Sequence, residues 1–67
     1  MLGPEHPDTL ASRNGLAAAW QEVGWAAEAI ALFEQTLAGR VRALGPGHPT
    51  TASSRVNLAS AYRDAGL

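Results

Sequence analysis

LGPEHPDTLASRNGLAAAWQEVG, residues 2–24, returns at residues 44–66 as LGPGHPTTASSRVNLASAYRDAG. Twelve of the 23 positions are identical at an offset of 42, with no gap between the first match, Leu2/Leu44, and the last, Gly24/Gly66. Self-similarity at a fixed period of this size marks a stacked supersecondary unit, because one unit alone cannot bury its apolar face. The 67 residues hold about one and a half periods. The organisation expected is a single unit, 1–67, with repeat one at 2–43 and an incomplete repeat two at 44–67.

Within each copy the residues call for a helix. Met1 to Glu5 reads as a lead-in loop. Pro7 carries the φ suited to a first helical position, which puts His6 at the N-cap. Asp8 then sits in the first turn, where a carboxylate favours the positive end of the helix dipole. Leu10, Leu16, Ala17, Ala19, Trp20 and Val23 recur at helical spacing. Gly24 ends the run as a left-handed cap. A second helix is expected from Ala26 to Ala43, with Ala29, Ile30, Leu32, Phe33, Leu37, Val41 and Leu44 as its apolar stripe. Gly39 interrupts it at a cost of up to ~1 kcal/mol relative to alanine. After Gly45-Pro46-Gly47, Pro49 opens a third helix that copies the first and runs to Ala65, with Gly66 as its cap. No strand pattern appears. The fold class is all-α: an antiparallel helix hairpin plus a third helix, A-B-A′.

Composition narrows the function classes. There is no cysteine, so neither a disulfide nor a thiolate is available. Five arginines stand against six acids, a net charge of -1, which gives no basic face to neutralise nucleic-acid phosphates. No apolar run approaches the ~20 residues needed to span a bilayer. No positively charged leader precedes an apolar stretch. The expectation is a cytoplasmic protein, and the alanine, arginine and glycine richness without lysine suggests a bacterial source. No Ser–His–Asp set, Gly-rich phosphate loop or close carboxylate pair can be assembled, so no catalytic residue is named. His6 and His48 sit near Glu5 and Asp8 but a period apart, and a metal ion needs three or four convergent ligands. No metal and no cofactor are expected.

Leu16-Ala17, Trp20, Gly24, Ala29 and Phe33 together resemble the signature of the tetratricopeptide repeat family, and Leu58-Ala59, Tyr62 and Gly66 repeat its first half. The 42-residue period, with LGPxHPxT ahead of each A helix, resembles the kinesin-light-chain-like subgroup, which also recurs in bacterial regulatory proteins. The resemblance covers essentially the whole chain. It implies a right-handed α-solenoid whose concave groove, lined by A helices, binds a peptide or helix of a partner protein. In that family the groove often carries an asparagine five residues before the aromatic. That position is Gly15 in the first repeat and Asn57 in the second, so only Asn57 can play the role. The neighbouring position pairs Asn14 with Val56.

The remaining candidates come from the residues themselves. Arg13 and Arg55 recur at the same phase and suit an acidic peptide, with solvated surface charge as the alternative. Trp25 occupies the hairpin turn as either a local packing lid or an interface anchor. The A′ helix has no second B helix after it, so Leu58, Ala59, Ala61 and Tyr62 are expected to lack their usual partner. Leu16 on the first helix likewise has no preceding repeat to cover it. An exposed contiguous apolar face marks an interface. The chain is therefore either a fragment of a longer array or a homo-oligomer, with a twofold dimer the commonest closed solution. Leu16, Leu58, Ala61 and Tyr62 are the expected self-association residues, and Ala11, Gly15 and Ala18 would let a helix of another copy come close. Two functions compete: an interaction scaffold working through the groove, and a structural self-assembly module with no foreign ligand. Gly15 and Val56 favour the second, while Asn57 and the repeated arginines favour the first.

Overall fold

A computed structural model describes residue 3 and residues 6–67. The expected lead-in loop otherwise lies outside the described residues, as does Leu2, the expected start of repeat one. The chain forms α1 (Pro7–Glu22), α2 (Ala26–Leu44) and α3 (Pro49–Asp64), and no strand occurs among the described residues.

The helix starts are the same device used twice. His6 Nδ1 accepts the Asp8 backbone N–H at 3.2 Å, and His48 Nδ1 accepts that of Thr50 at 3.1 Å. Each imidazole thus satisfies one of the N–H groups that a first turn leaves without a partner. The proline after each histidine has no N–H to satisfy. The stops are also paired. Trp25 N–H bonds to Trp20 C=O at 2.8 Å and Gly24 N–H to Gln21 C=O at 3.2 Å. Leu67 and Gly66 repeat this on Tyr62 and Arg63. This is the Schellman closure, which needs a left-handed residue at its centre, and Gly24 supplies it with φ 88°. The closure explains why α1 and α3 end one residue earlier than the sequence suggests. Val23 and Ala65 still bond back to Ala19 and Ala61, but the next residue has already turned.

Helix α2 packs on both α1 and α3, which touch each other only lightly. The core is small: Ala17 of α1, Ala29 and Phe33 of α2 and Ala61 of α3, flanked by Ala18, Trp20, Ile30, Leu32 and Leu58. Alanines on both sides let the helices close on the Phe33 ring, whose burial is worth roughly 2–3 kcal/mol. Ala18 therefore turns to the core rather than to a groove, and Val23, expected in the apolar stripe, is exposed past the end of the packing. Gly39 has a packing reason. A Cβ there would stand 2.7 Å from Leu10 Cδ2, so the missing side chain is what lets α1 approach α2.

Toward the α2–α3 end the packing turns polar. Arg40, Thr51 and Ser54 are all buried. The Arg40 guanidinium donates to Ser54 Oγ at 2.5 Å, and Thr51 Oγ1 donates to Gly45 C=O at 2.9 Å. Ser54 Oγ in turn lies 3.4 Å from Thr50 C=O. Thr36, fully buried in α2, donates to Leu32 C=O at 2.9 Å. No buried side-chain N or O among the described residues lacks a partner, as burial of polar groups requires.

Candidate protein-interaction surface

The A helices α1 and α3 run side by side in repeat register, and polar side chains join them. Asn57 Nδ2 donates to Asn14 Oδ1 at 3.1 Å. Gln21 Nε2 reaches Ser60 Oγ at 3.2 Å and also Asp64 Oδ2. These pairs lie 39 to 43 residues apart, one period in sequence and one step sideways in space. Asn57 and Asn14, half-buried, thus share one seam rather than acting alone. A side-chain amide has two donors and an acceptor with two lone pairs, so the contact uses only part of what the two carboxamides offer.

The other candidates are placed less favourably. Arg55 donates to Pro46 C=O at 2.9 Å, which holds it against the α2–α3 loop. Arg13 is half-buried on α1. Trp25 lies 6.2 Å from Trp20, centroid to centroid, with the rings tilted 44°, so it does pack locally. It is nevertheless 55% exposed, and both sequence readings describe part of it. Its contact with Trp20 is the apolar pairing that commonly accompanies a Schellman closure. Gly15 opens on space, with nothing within 4 Å of where a Cβ would be.

The expectation that Ala61, Leu58 and Tyr62 lack a partner is corrected. Ala61 is fully buried in the shared core, Leu58 packs against it, and Tyr62 donates its hydroxyl to Glu34 Oε2 at 3.1 Å. An A helix has one face for the B helix before it and another for the B helix after it. These three residues belong to the first, and α2 covers them. On α3 it is Ala52 and Ala59 that stay exposed, the counterparts of Leu10 and Ala17, which face α2 from the other side. Leu16 is 47% exposed, as expected. The hydrogen bond to the Glu34 carboxylate holds the proton on Tyr62, and desolvation and the nearby negative charge act the same way, so the phenol titrates above its usual value near 10.

Arg40, Gln21 and Glu34 were not singled out from the sequence. The recurrence of Thr9/Ser12 as Thr51/Ser54 was the available signal for Arg40, since a polar pair conserved in register on a helix face implies a polar neighbour. Nothing in the sequence marked Gln21 or Glu34. Among the described residues, no group of three His, Asp or Glu comes together to hold a metal ion, and no helix is long and apolar enough to cross a membrane.

Antiparallel helices in which α1 and α3 repeat the same caps one period apart, joined by a seam at about that same offset, define a helical tandem-repeat protein. A family model described as tetratricopeptide repeat matches residues 9–50, more than half of the chain, and the chain belongs to that family. Repeats of this kind generally mediate protein–protein interaction or scaffolding. No curated protein and no solved structure is matched.

Proposed function

We propose that the chain is an interaction module that takes a peptide or helix of a partner protein along the groove lined by α1 and α3, and that it does not act as an enzyme. The observation that carries this reading is the Asn14–Asn57 pair, two half-buried carboxamides bonded across the seam at 3.1 Å. Their mutual bond fixes the orientation of both and leaves amide capacity for a peptide backbone. Arg13 and, beyond its tie to the loop, Arg55 supply positive charge for an acidic partner, and the exposed edge of Trp25 offers an aromatic anchor at the hairpin end. The 42-residue period supports placing the unit in the kinesin-light-chain-like subgroup, with a cytoplasmic, bacterial setting as part of the same proposal.

The test is a peptide-library screen followed by NMR titration of the labelled chain. Binders are expected to shift the amides of Asn14 and Asn57, and Asn57→Ala should weaken them about tenfold, a typical cost for one buried hydrogen bond with its desolvation. Binders that shift other residues, or that bind Asn57→Ala equally well, would refute the groove. A second reading, self-assembly, is favoured by one observation: Leu16 and Ala59 remain open on opposite ends of the three-helix unit. Light scattering over a concentration series decides it, and a strictly monomeric mass throughout would remove it.

A further inference from the structure

The charges of the chain are sorted between the two ends of the bundle. Among the described residues, Glu22, Glu28, Glu34 and Asp64 lie in the halves of their helices nearest the α1–α2 turn, with Arg63 as the one arginine there. Arg13, Arg40, Arg42 and Arg55 lie in the opposite halves, with Asp8 as the one acid. The net charge of -1 therefore conceals an acidic end and a basic end. Two of the carboxylates stand where a helix disfavours them. Glu22 is the last residue of α1, whose final turn holds no basic residue, and Asp64 is the last residue of α3. The C-terminal end of a helix carries about half a negative charge, which opposes a carboxylate placed there. Asp64 receives the amide of Gln21, a neutral donor, and Glu22 is exposed. The turn that follows Glu22 presents two exposed apolar side chains, Val23 and Trp25, the latter backed by Trp20. One period on, Asp64 and Leu67 take the places of Glu22 and Trp25, and Leu67 closes on Tyr62 as Trp25 closes on Trp20.

We propose that this end of the bundle docks a cationic segment of a partner protein: an arginine stacked on the exposed ring of Trp25 and held by the Glu22 and Asp64 carboxylates, next to an apolar side chain lying on Val23. Charge complementarity selects the occupant. A guanidinium meets an indole face by cation–π attraction and a carboxylate by charge-assisted hydrogen bonds, and its planar, weakly hydrated head suits both better than an ammonium does. It also supplies the cation that the two helix ends lack, so the local arrangement that costs the free chain stability becomes favourable once the partner is bound. Val23 and Trp25 follow the end of α1 and lie off the faces, marked by Leu16 and Ala59, on which further helices would stack. The inference rests on the groove reading in one respect, that Trp25 meets a partner protein, and it adds the chemistry of that end of the partner. Acidic residues of the same segment then belong at the far end, where Arg55 lies, which gives the bound segment a direction.

The probe is the blocked tetrapeptide acetyl-Leu-Arg-Arg-Leu-amide, titrated into the labelled full chain and followed by NMR, with glutamine in place of both arginines as the control. Shifts are expected at the amides of Glu22 and Asp64 and at the Trp25 indole N–H. The glutamine peptide should bind about tenfold more weakly, the loss typical of a hydrogen bond between charged groups. The Glu22→Gln, Asp64→Asn double variant should lose the same factor for the arginine peptide and none for the control. Glu22→Gln alone should raise the melting temperature of the free chain by a few degrees, because it removes a charge that the helix end opposes. No binding of the arginine peptide, equal affinity of the two peptides, or an arginine-peptide affinity unchanged in the double variant would overturn the proposal. Shifts confined to Asn14 and Asn57 would also overturn it while leaving the groove standing. Shifts at Glu22, Trp25 and Asp64 without any at Asn14 and Asn57 would support it and count against the groove.

Discussion

Replacing Gly39 with alanine sets two effects of opposite sign against each other, and the geometry decides between them. Helix propensity favours alanine over glycine by about 1 kcal/mol in a helix interior. The new Cβ, however, would stand 2.7 Å from Leu10 Cδ2, whereas Leu10 Cγ already lies at an ordinary 3.7 Å. The δ-methyl must retreat by about the 1.0 Å between those two values, and Leu10 is only 1% exposed, so it has little room to do so. Overpacking of this kind typically costs ~1–3 kcal/mol. The net expectation for Gly39→Ala is a loss of ~1 kcal/mol, seen as a fall of roughly 4–8 °C in melting temperature for a domain this small. The argument becomes sharp in a Leu10→Val background. Valine ends at the γ position, so the clash goes and the propensity gain remains. Gly39→Ala should then stabilise by up to ~1 kcal/mol, a coupling of ~2 kcal/mol in a double-mutant cycle. Urea titrations followed by far-ultraviolet circular dichroism give all four free energies. An effect of the same sign and size in both backgrounds would show that Gly39 is not there to admit Leu10.

Two further outcomes follow from contacts already described. The Tyr62–Glu34 hydrogen bond raises the folded phenol above its usual value near 10, so its contribution to stability is complete below that value and is lost as pH rises through the folded one. Tyr62→Phe should flatten the alkaline limb of stability against pH, and an unchanged limb would show that the bond does not form in solution. At the third helix, His48→Ala should cost about 1 kcal/mol by removing the acceptor for Thr50 N–H, while His48→Ser, which can cap, should lose only a few tenths. Equal losses in thermal melts would mean that the imidazole acts through packing instead.

The helices were legible because their boundaries are written in local chemistry. The His-Pro pair and the closing glycine of each copy act within one turn, and the observed ends fall within a residue of those expected. The side on which each A helix finds its partner was less legible. Periodicity shows that Leu58, Ala61 and Tyr62 share an apolar stripe, but not that they face the helix before rather than the helix after, which depends on how α2 lies between its neighbours. Gly39 read as a defect for the same reason, since only the crossing of α1 over α2 reveals what the absent side chain admits. Of the candidate site, Asn57 was visible through the family resemblance, but its bond to Asn14 was not. Repeat register pairs Asn57 with Gly15, and the real contact is displaced by one residue.

The pairing of Trp20 with Trp25 has an experimental consequence. Both tryptophans of the chain sit at the α1–α2 turn, and the one tyrosine sits on α3. The two intrinsic chromophores therefore divide the molecule between its first hairpin and its last helix. Tryptophan emission follows one and tyrosine absorbance the other, with no label attached. Should α3 peel away from α2 before the hairpin melts, the tyrosine signal would move first, and the two curves would part.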